Sequence, residues 1–216
     1  MLRCQAIVLA MVLCIGSLTA RTPGGGRASV SDDVAAAMAR VNSVATGIKS
    51  MTCRFDQTKH LAMMRDEMKS SGSVAFVSPS CLRWEYTAPY SYRFIFNGDR
   101  VYVGNDAGGN VIDAKTNRIF GEIARLMINT VTGHIMDSAD DFAFELKAGR
   151  QTSTFTLSPR KRELRQIISS IDLTFDNSTY NIQSVTLHEK NGDHTDIHLY
   201  DIQLNKPVNE NLFVID

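Results

Sequence analysis

The sequence is short of the features that mark many protein classes. Proline is scarce, five in 216 residues, and no proline-rich, glycine-serine or charged low-complexity tract breaks the chain. That excludes a string of domains on flexible linkers. Neither sign of charge is in excess, since 23 Lys and Arg stand against 23 Asp and Glu. A balanced chain lacks the basic footprint that nucleic acid demands, so no nucleic-acid partner is expected. There is no G-x-S-x-G elbow, no P-loop and no dinucleotide fingerprint. Asn105-Asp106-Ala107-Gly108-Gly109-Asn110 has glycines but no Lys-Ser/Thr after them, and reads as a turn. Asp140-Asp141 and Asp172 offer carboxylates with no base or nucleophile to serve. The chain therefore reads as a non-enzyme without cofactors, and Cys53 is the one nucleophile worth testing.

Long hydrophobic runs are also lacking, apart from Ala6–Ile15. That run is too short to cross a bilayer. Arg3 precedes it, and the small residues Gly16, Ser17, Thr19 and Ala20 follow, which is the pattern of a secretory signal covering residues 1–20. Its removal deletes one basic residue, Arg3, and leaves 22 basic against 23 acidic. Cys14 follows Leu13 and Cys4 follows Arg3, so neither has the small preceding residue of a lipid-anchoring cut. A soluble exported protein is expected. Export permits a disulfide between the two remaining cysteines, Cys53 and Cys81. The strand pattern argues against one, because Cys53 shares a face with Phe55 while Cys81 lies opposite Leu82 and Trp84.

What is present is a change of period. Residues 21–29 read as a flexible lead-in to a single domain over 30–216. Ser31, Asp32 and Asp33 supply an N-cap and an acidic first turn, and Val34, Met38, Val41, Val44 and Ile48 recur at helical spacing, ending near Gly47. From Met51 the period is two. Short strands are expected at 51–58, 72–78, 81–86, 92–96, 101–103, 142–146, 154–157, 167–175, 182–187 and 197–204. Asn97-Gly98-Asp99 between the fourth and fifth of these is the strongest hairpin signal. Residues 61–69 read as a charged turn with exposed methionines. Residues 117–131 break the pattern with one or two short helical turns. The fold class is mainly β (α+β): roughly ten antiparallel strands, an N-terminal helix and a helical insertion.

His194 and His198 are four apart, beside Asp193 and Asp196. On a helix that spacing suits a metal. Here the residues flank a hairpin with no third ligand spaced to join them, so they read as surface histidines and no metal is expected. Arg160, Lys161, Arg162 and Arg165 form the one basic cluster, either a solvated turn or a docking patch for an acidic partner or lipid headgroups. The remaining signal is an apolar and aromatic stripe, Phe55, Phe76, Leu82, Trp84, Tyr86, Phe94 and Phe96, on consecutive strands. A ten-stranded sheet curls, and its concave face either fills with side chains or encloses a guest. Two modest helical pieces leave room for an apolar guest.

The same residues carry a family resemblance. Phe55-Asp56-Gln57-Thr58-Lys59 resembles the F-x-Q-x-K first strand of the periplasmic outer-membrane lipoprotein carriers, the LolA family. Gly72 to Pro79, then Leu82-Arg83-Trp84-Glu85-Tyr86 and Pro89, resemble that family's glycine-to-proline strand and its L-R-W-x-Y-x-x-P run. Asn97-Gly98-Asp99-Arg100-Val101-Tyr102 resembles the hairpin that follows, and Leu157-Ser158-Pro159 a later strand end. The resemblance covers most of residues 30–216. It implies a half-open curled antiparallel barrel under a helical lid, with a hydrophobic cavity for the acyl chains of lipoproteins. It also implies a periplasmic monomer that takes acylated lipoproteins from an inner-membrane releasing ABC transporter to an outer-membrane receptor. The stripe above then lines the cavity, and Ile119, Phe120, Ile123, Leu126 and Met127 form the lid. The family's carriers have an arginine before the strand-ending proline that helps to latch the lid; here it is Ser78. A carrier or sensor for another lipid on the same fold is the alternative.

Overall fold

The computed structural model describes residues 32–63, 66–134 and 140–215. The expected signal and lead-in lie outside the described residues. Eleven strands form one sheet: β1 (Ser50–His60), β2 (Glu67–Val77), β3 (Cys81–Ala88), β4 (Tyr92–Asn97), β5 (Arg100–Asn105), β6 (Gly108–Asp113), β7 (Phe142–Ala148), β8 (Thr152–Pro159), β9 (Ile168–Asp176), β10 (Ile182–Glu189) and β11 (His194–Leu204). Among the described residues three α-helices accompany them, α1 (Asp32–Ala45), α2 (Arg118–Thr132) and the single turn α3 (Arg162–Arg165), with a 3-10 turn at Glu210–Phe213.

The order across the sheet is β6-β5-β4-β3-β2-β1-β11-β10-β9-β8-β7, and every pairing is antiparallel. The first and last strands thus meet at the centre, while β6 and β7 form the two open edges. A sheet this wide curls. Register shifts add local twist at Thr52/Arg54, Ser71/Gly72, Ile182/Ser184 and His188/Glu189. The link from β6 to β7 must run from one edge to the other, and it carries α2.

Alternation decides which side chains fill the concave face. Phe55, Gln57 and Lys59 point inward from β1, Ile171, Leu173 and Phe175 from β9, and Thr195, Ile197 and Leu199 from β11. The apolar ones among them join one buried cluster with Val34 and Val41 of α1 and with Ala124, Met127, Ile128 and Val131 of α2. A second, smaller cluster lies on the outer face. Phe213 and Ile215 of the C-terminal segment cover Ala75 and Ile95 there. Arg83, Asn97 and Arg100 fix that segment by donating to the carbonyls of Leu212, Phe213 and Ile215.

The sheet has one strand more than expected. The presumed turn 105–110 is only Asp106-Ala107, since Asn105 pairs with Gly108, and Gly108 opens β6. An exposed, glycine-rich edge strand has no apolar alternation to announce it. Residues 67–69, read as turn, belong to β2, and His194 lies on β11 rather than beside it. The insertion at 117–131 is one helix of 15 residues instead of separate turns. Gly121 and Asn129 fail to break it, because packing of Ala124, Met127, Ile128 and Val131 outweighs their low propensity. Gly133 ends it at φ 88°, a left-handed cap that suits glycine.

Candidate functional site

The concave face between β1 and β5 gathers the aromatic stripe. Phe55, Phe76, Leu82, Trp84, Phe94 and Phe96 are all buried in the inner cluster, and half-buried Tyr86 packs against it. Phe55 lies 4.8 Å from Trp84 and 5.2 Å, edge-on, from Tyr86. Such offset pairs are worth about 1 kcal/mol each beyond the area they bury. Helices α1 and α2 both join the same buried cluster. Met127 of α2 is buried in the cluster, and Phe120 and Leu126 are half-buried against it. The side chains of Ile119 and Ile123 lie outside the described residues.

α2 is held by apolar packing. Asn117 makes no side-chain cap to its first turn, and no acidic residue lies there to favour the helix dipole. Among the described residues, no ion pair and no side-chain hydrogen bond ties α2 to a strand. Its C-terminal end is tightly seated. A Cβ on Gly133 would stand 3.1 Å from Val41 of α1 and 3.6 Å from the Phe175 ring. Ser78 is exposed in the β2–β3 turn, where its N–H donates to the Lys49 carbonyl at 2.8 Å.

Polar groups enter this apolar surface at few points. Tyr86 donates its hydroxyl to Gln57 Oε1 at 3.0 Å, and burial raises the phenol's pKa. The Trp84 indole N–H is buried and approaches Tyr86 without the geometry of a hydrogen bond. Lys59, next but one to Gln57, meets Glu189 of β10 at 2.8 Å, and both side chains are largely buried. Gln57, Lys59 and Glu189 were not singled out from the sequence as site residues. The period-two alternation after Phe55 was the signal that turned Gln57 and Lys59 inward. Nothing in the sequence names Glu189 as their partner.

Other candidates resolve into structure. Cys53 and Cys81 are free and lie on opposite faces, as the strand pattern requires. Burial pushes the Cys53 thiol up to about 12, so at neutral pH it is no thiolate nucleophile. In the basic cluster, Arg160 donates to the Phe142 carbonyl and Lys161 pairs with Asp141 at 2.7 Å. The histidines differ from their expected isolation. His60 of β1 lies opposite His194 in register, and Asp196 stands beside both. A third partner therefore comes from a strand more than a hundred residues away, which linear spacing does not reveal.

A family model described as Outer membrane lipoprotein carrier protein LolA matches residues 46–216. The outer-membrane lipoprotein carrier protein of Pseudoalteromonas translucida is 24% identical over 204 residues, which cover 94% of this chain and 89% of that one. Its counterpart in Pseudomonas aeruginosa PAO1 is 22% identical over 184 residues, 85% of each chain. Among solved structures, an uncharacterized conserved protein from Thermus thermophilus matches with a TM-score of 0.53 at 8% identity, over 84% of this chain and 94% of that one. MucB matches with a TM-score of 0.51 at 13% identity, over 86% of this chain and 64% of MucB. At these identities the structural likenesses speak for the fold alone.

Proposed function

The chain belongs to the outer membrane lipoprotein carrier family, LolA, and on that premise we propose that it is a periplasmic carrier that shields the acyl chains of lipoproteins between two membranes. The observation that carries this reading is the apolar and aromatic stripe of β1–β5 gathered in one buried cluster with α2, whose Ala124, Met127, Ile128 and Val131 join it. Its acyl-binding surface is Phe55, Phe76, Leu82, Trp84, Tyr86, Phe94 and Phe96. Its lid is α2, with Ile119, Phe120, Ile123, Leu126 and Met127. The face is filled by α1 and α2 in the closed form, so loading requires α2 to lift.

The energetics suit such a lid. Each buried CH₂ is worth about 0.8 kcal/mol, so a chain of about 15 methylenes costs on the order of 12 kcal/mol to expose to water. A carrier must cover that surface and still release it. Apolar packing of Met127 and Leu126 can be exchanged for packing against a chain without stranding polar groups. A latch of buried charges would resist that exchange. Residues 1–20 are the export signal in this account, and 30–216 are the carrier domain. The chain acts as a monomer between an inner-membrane releasing ABC transporter and an outer-membrane receptor. It performs no chemistry on its cargo and needs no cofactor.

The test uses chain lacking residues 1–20, membranes that carry a triacylated lipoprotein, and the releasing transporter. The account expects the lipoprotein in the soluble fraction, in a one-to-one complex with this chain. Free lipid bound without protein cargo would move the reading to a carrier of another amphiphile. Neither product would contradict both.

A further inference from the structure

On the outer face of the sheet, remote from the acyl-binding surface, three histidines form a row. His60 of β1 pairs with His194 of β11, and His194 pairs in turn with His188 of β10. All three residues are outward-facing and half-exposed. The His60 and His194 rings stack with centroids 4.2 Å apart, and the His188 ring lies 6.0 Å from that of His194. Asp196, two residues along β11, sits on the same face. Its Oδ2 is 3.2 Å from His60 Nε2 and 3.7 Å from His194 Nε2.

The surrounding contacts leave these donor atoms free on the side they share. Thr186 donates its hydroxyl to Asp196 Oδ1 at 2.6 Å, which leaves Oδ2 for the histidines. Glu67 of β2 stands 3.4 Å from His60 Nδ1, which leaves Nε2 on the Asp196 side. A carboxylate on the far ring nitrogen is the arrangement that orients metal-binding imidazoles. His188 is turned away, since its Nε2 meets Asp172 at 3.0 Å. Two imidazole nitrogens and one carboxylate oxygen, mutually within 4.8 Å, therefore converge on a half-exposed spot.

We propose that His60, His194 and Asp196 bind one late first-row divalent cation, such as zinc. The donor set selects this class. Imidazole suits Zn²⁺, Cu²⁺ and Ni²⁺, whereas Mg²⁺ and Ca²⁺ require mostly oxygen. Zinc takes nitrogen at ~2.0–2.1 Å and carboxylate oxygen at ~2.0–2.2 Å in tetrahedral geometry. The stacked rings must tilt out of their near-parallel arrangement to turn both lone pairs onto one ion, and half-exposure of both side chains leaves room for that tilt and for water at the fourth position. The cation would clip β1 to β11, the first strand to the last. It would do so on the reverse side of the rim where Lys59 meets Glu189.

The test is calorimetric titration with zinc sulfate of untagged chain lacking residues 1–20 and carrying Cys81→Ser, so that no exposed thiol takes part. The expected result is one saturable site per chain, reversed by chelator. His60→Gln and His194→Gln should each weaken it at least tenfold, while leaving circular dichroism and the metal-free melting temperature unchanged. Glu67→Gln, a change to a positioning residue, should weaken it about tenfold. Absence of a saturable site overturns the proposal. So does a site that survives both histidine substitutions. Should one histidine variant fail to fold, the other carries the comparison.

Discussion

Phe55 packs against Trp84 at 4.8 Å even though the two side chains come from strands that are not neighbours. β2 runs between them, and the residue it places opposite Phe55 is Gly72. The missing side chain lets the Phe55 ring lean across to β3. A Cβ on Gly72 would come 2.9 Å from the Phe55 ring and 1.8 Å from the Glu85 carbonyl oxygen. The second atom is backbone and cannot swing away. Gly72→Ala should therefore destabilise the fold by about 3 kcal/mol or more, the upper end of overpacking costs. Urea denaturation followed by far-ultraviolet circular dichroism measures it.

Lys59 and Glu189 form a largely buried pair. Loss of one partner strands a charge in an apolar setting, at a cost of about 3–5 kcal/mol. Lys59→Met and Glu189→Leu should each approach that cost. Lys59→Met with Glu189→Leu should recover most of it, because no charge is then left buried. A double-mutant cycle in urea reads both values. A loss in the double variant equal to the two single losses added together would contradict a coupled pair.

The thiols should separate by reactivity. Burial pushes Cys53 up to about 12 from an ordinary 9.0, while half-buried Cys81 is raised less severely, first by burial and then by Glu210. Native chain lacking residues 1–20 should react with a thiol reagent at Cys81, and at Cys53 only after denaturation. Between about 9 and 12 the unfolded chain loses the Cys53 proton and the folded chain keeps it. The native state therefore loses stability as pH rises through that window. Cys53→Ala should flatten this alkaline loss and leave carrier activity intact.

Trp84 is the sole tryptophan of the chain and lies on the proposed binding surface. Its emission should change when a long-chain acyl ligand enters and α2 lifts. Trp84→Phe should bind the same ligand with affinity within about tenfold, because an aromatic surface of similar kind remains. An unchanged emission at saturating ligand would place the ligand elsewhere.

Much of this fold was legible in the chain because alternation and turn chemistry act locally. Asn97-Gly98-Asp99 makes its hairpin as expected, with Gly98 at φ 62°. Opposite faces for Cys53 and Cys81 followed from parity along the strands alone. The misses have one cause in common. β6 has no apolar face, so its existence depends on pairing with β5 rather than on its own residues. The continuity of α2 depends on the core beneath it. The stripe from Phe55 to Phe96 was visible as a pattern. The partners Lys59–Glu189 and His60–His194 were not, because they arise where the last strands close onto the first. That closure is a property of sheet order, which no local window contains.

In the proposed carrier, cargo acyl chains lie on the inner face of β1–β5 under α2. Photo-crosslinking from single sites tests it most directly. A benzophenone residue replaces Phe94 or Phe120, which face the core, or Asp56 or His198, which are exposed on the outer face. Each variant is loaded with a triacylated lipoprotein and irradiated. The account predicts crosslinks to cargo from positions 94 and 120 and none from 56 and 198. Crosslinks from the outer positions, with the inner ones silent, would contradict it.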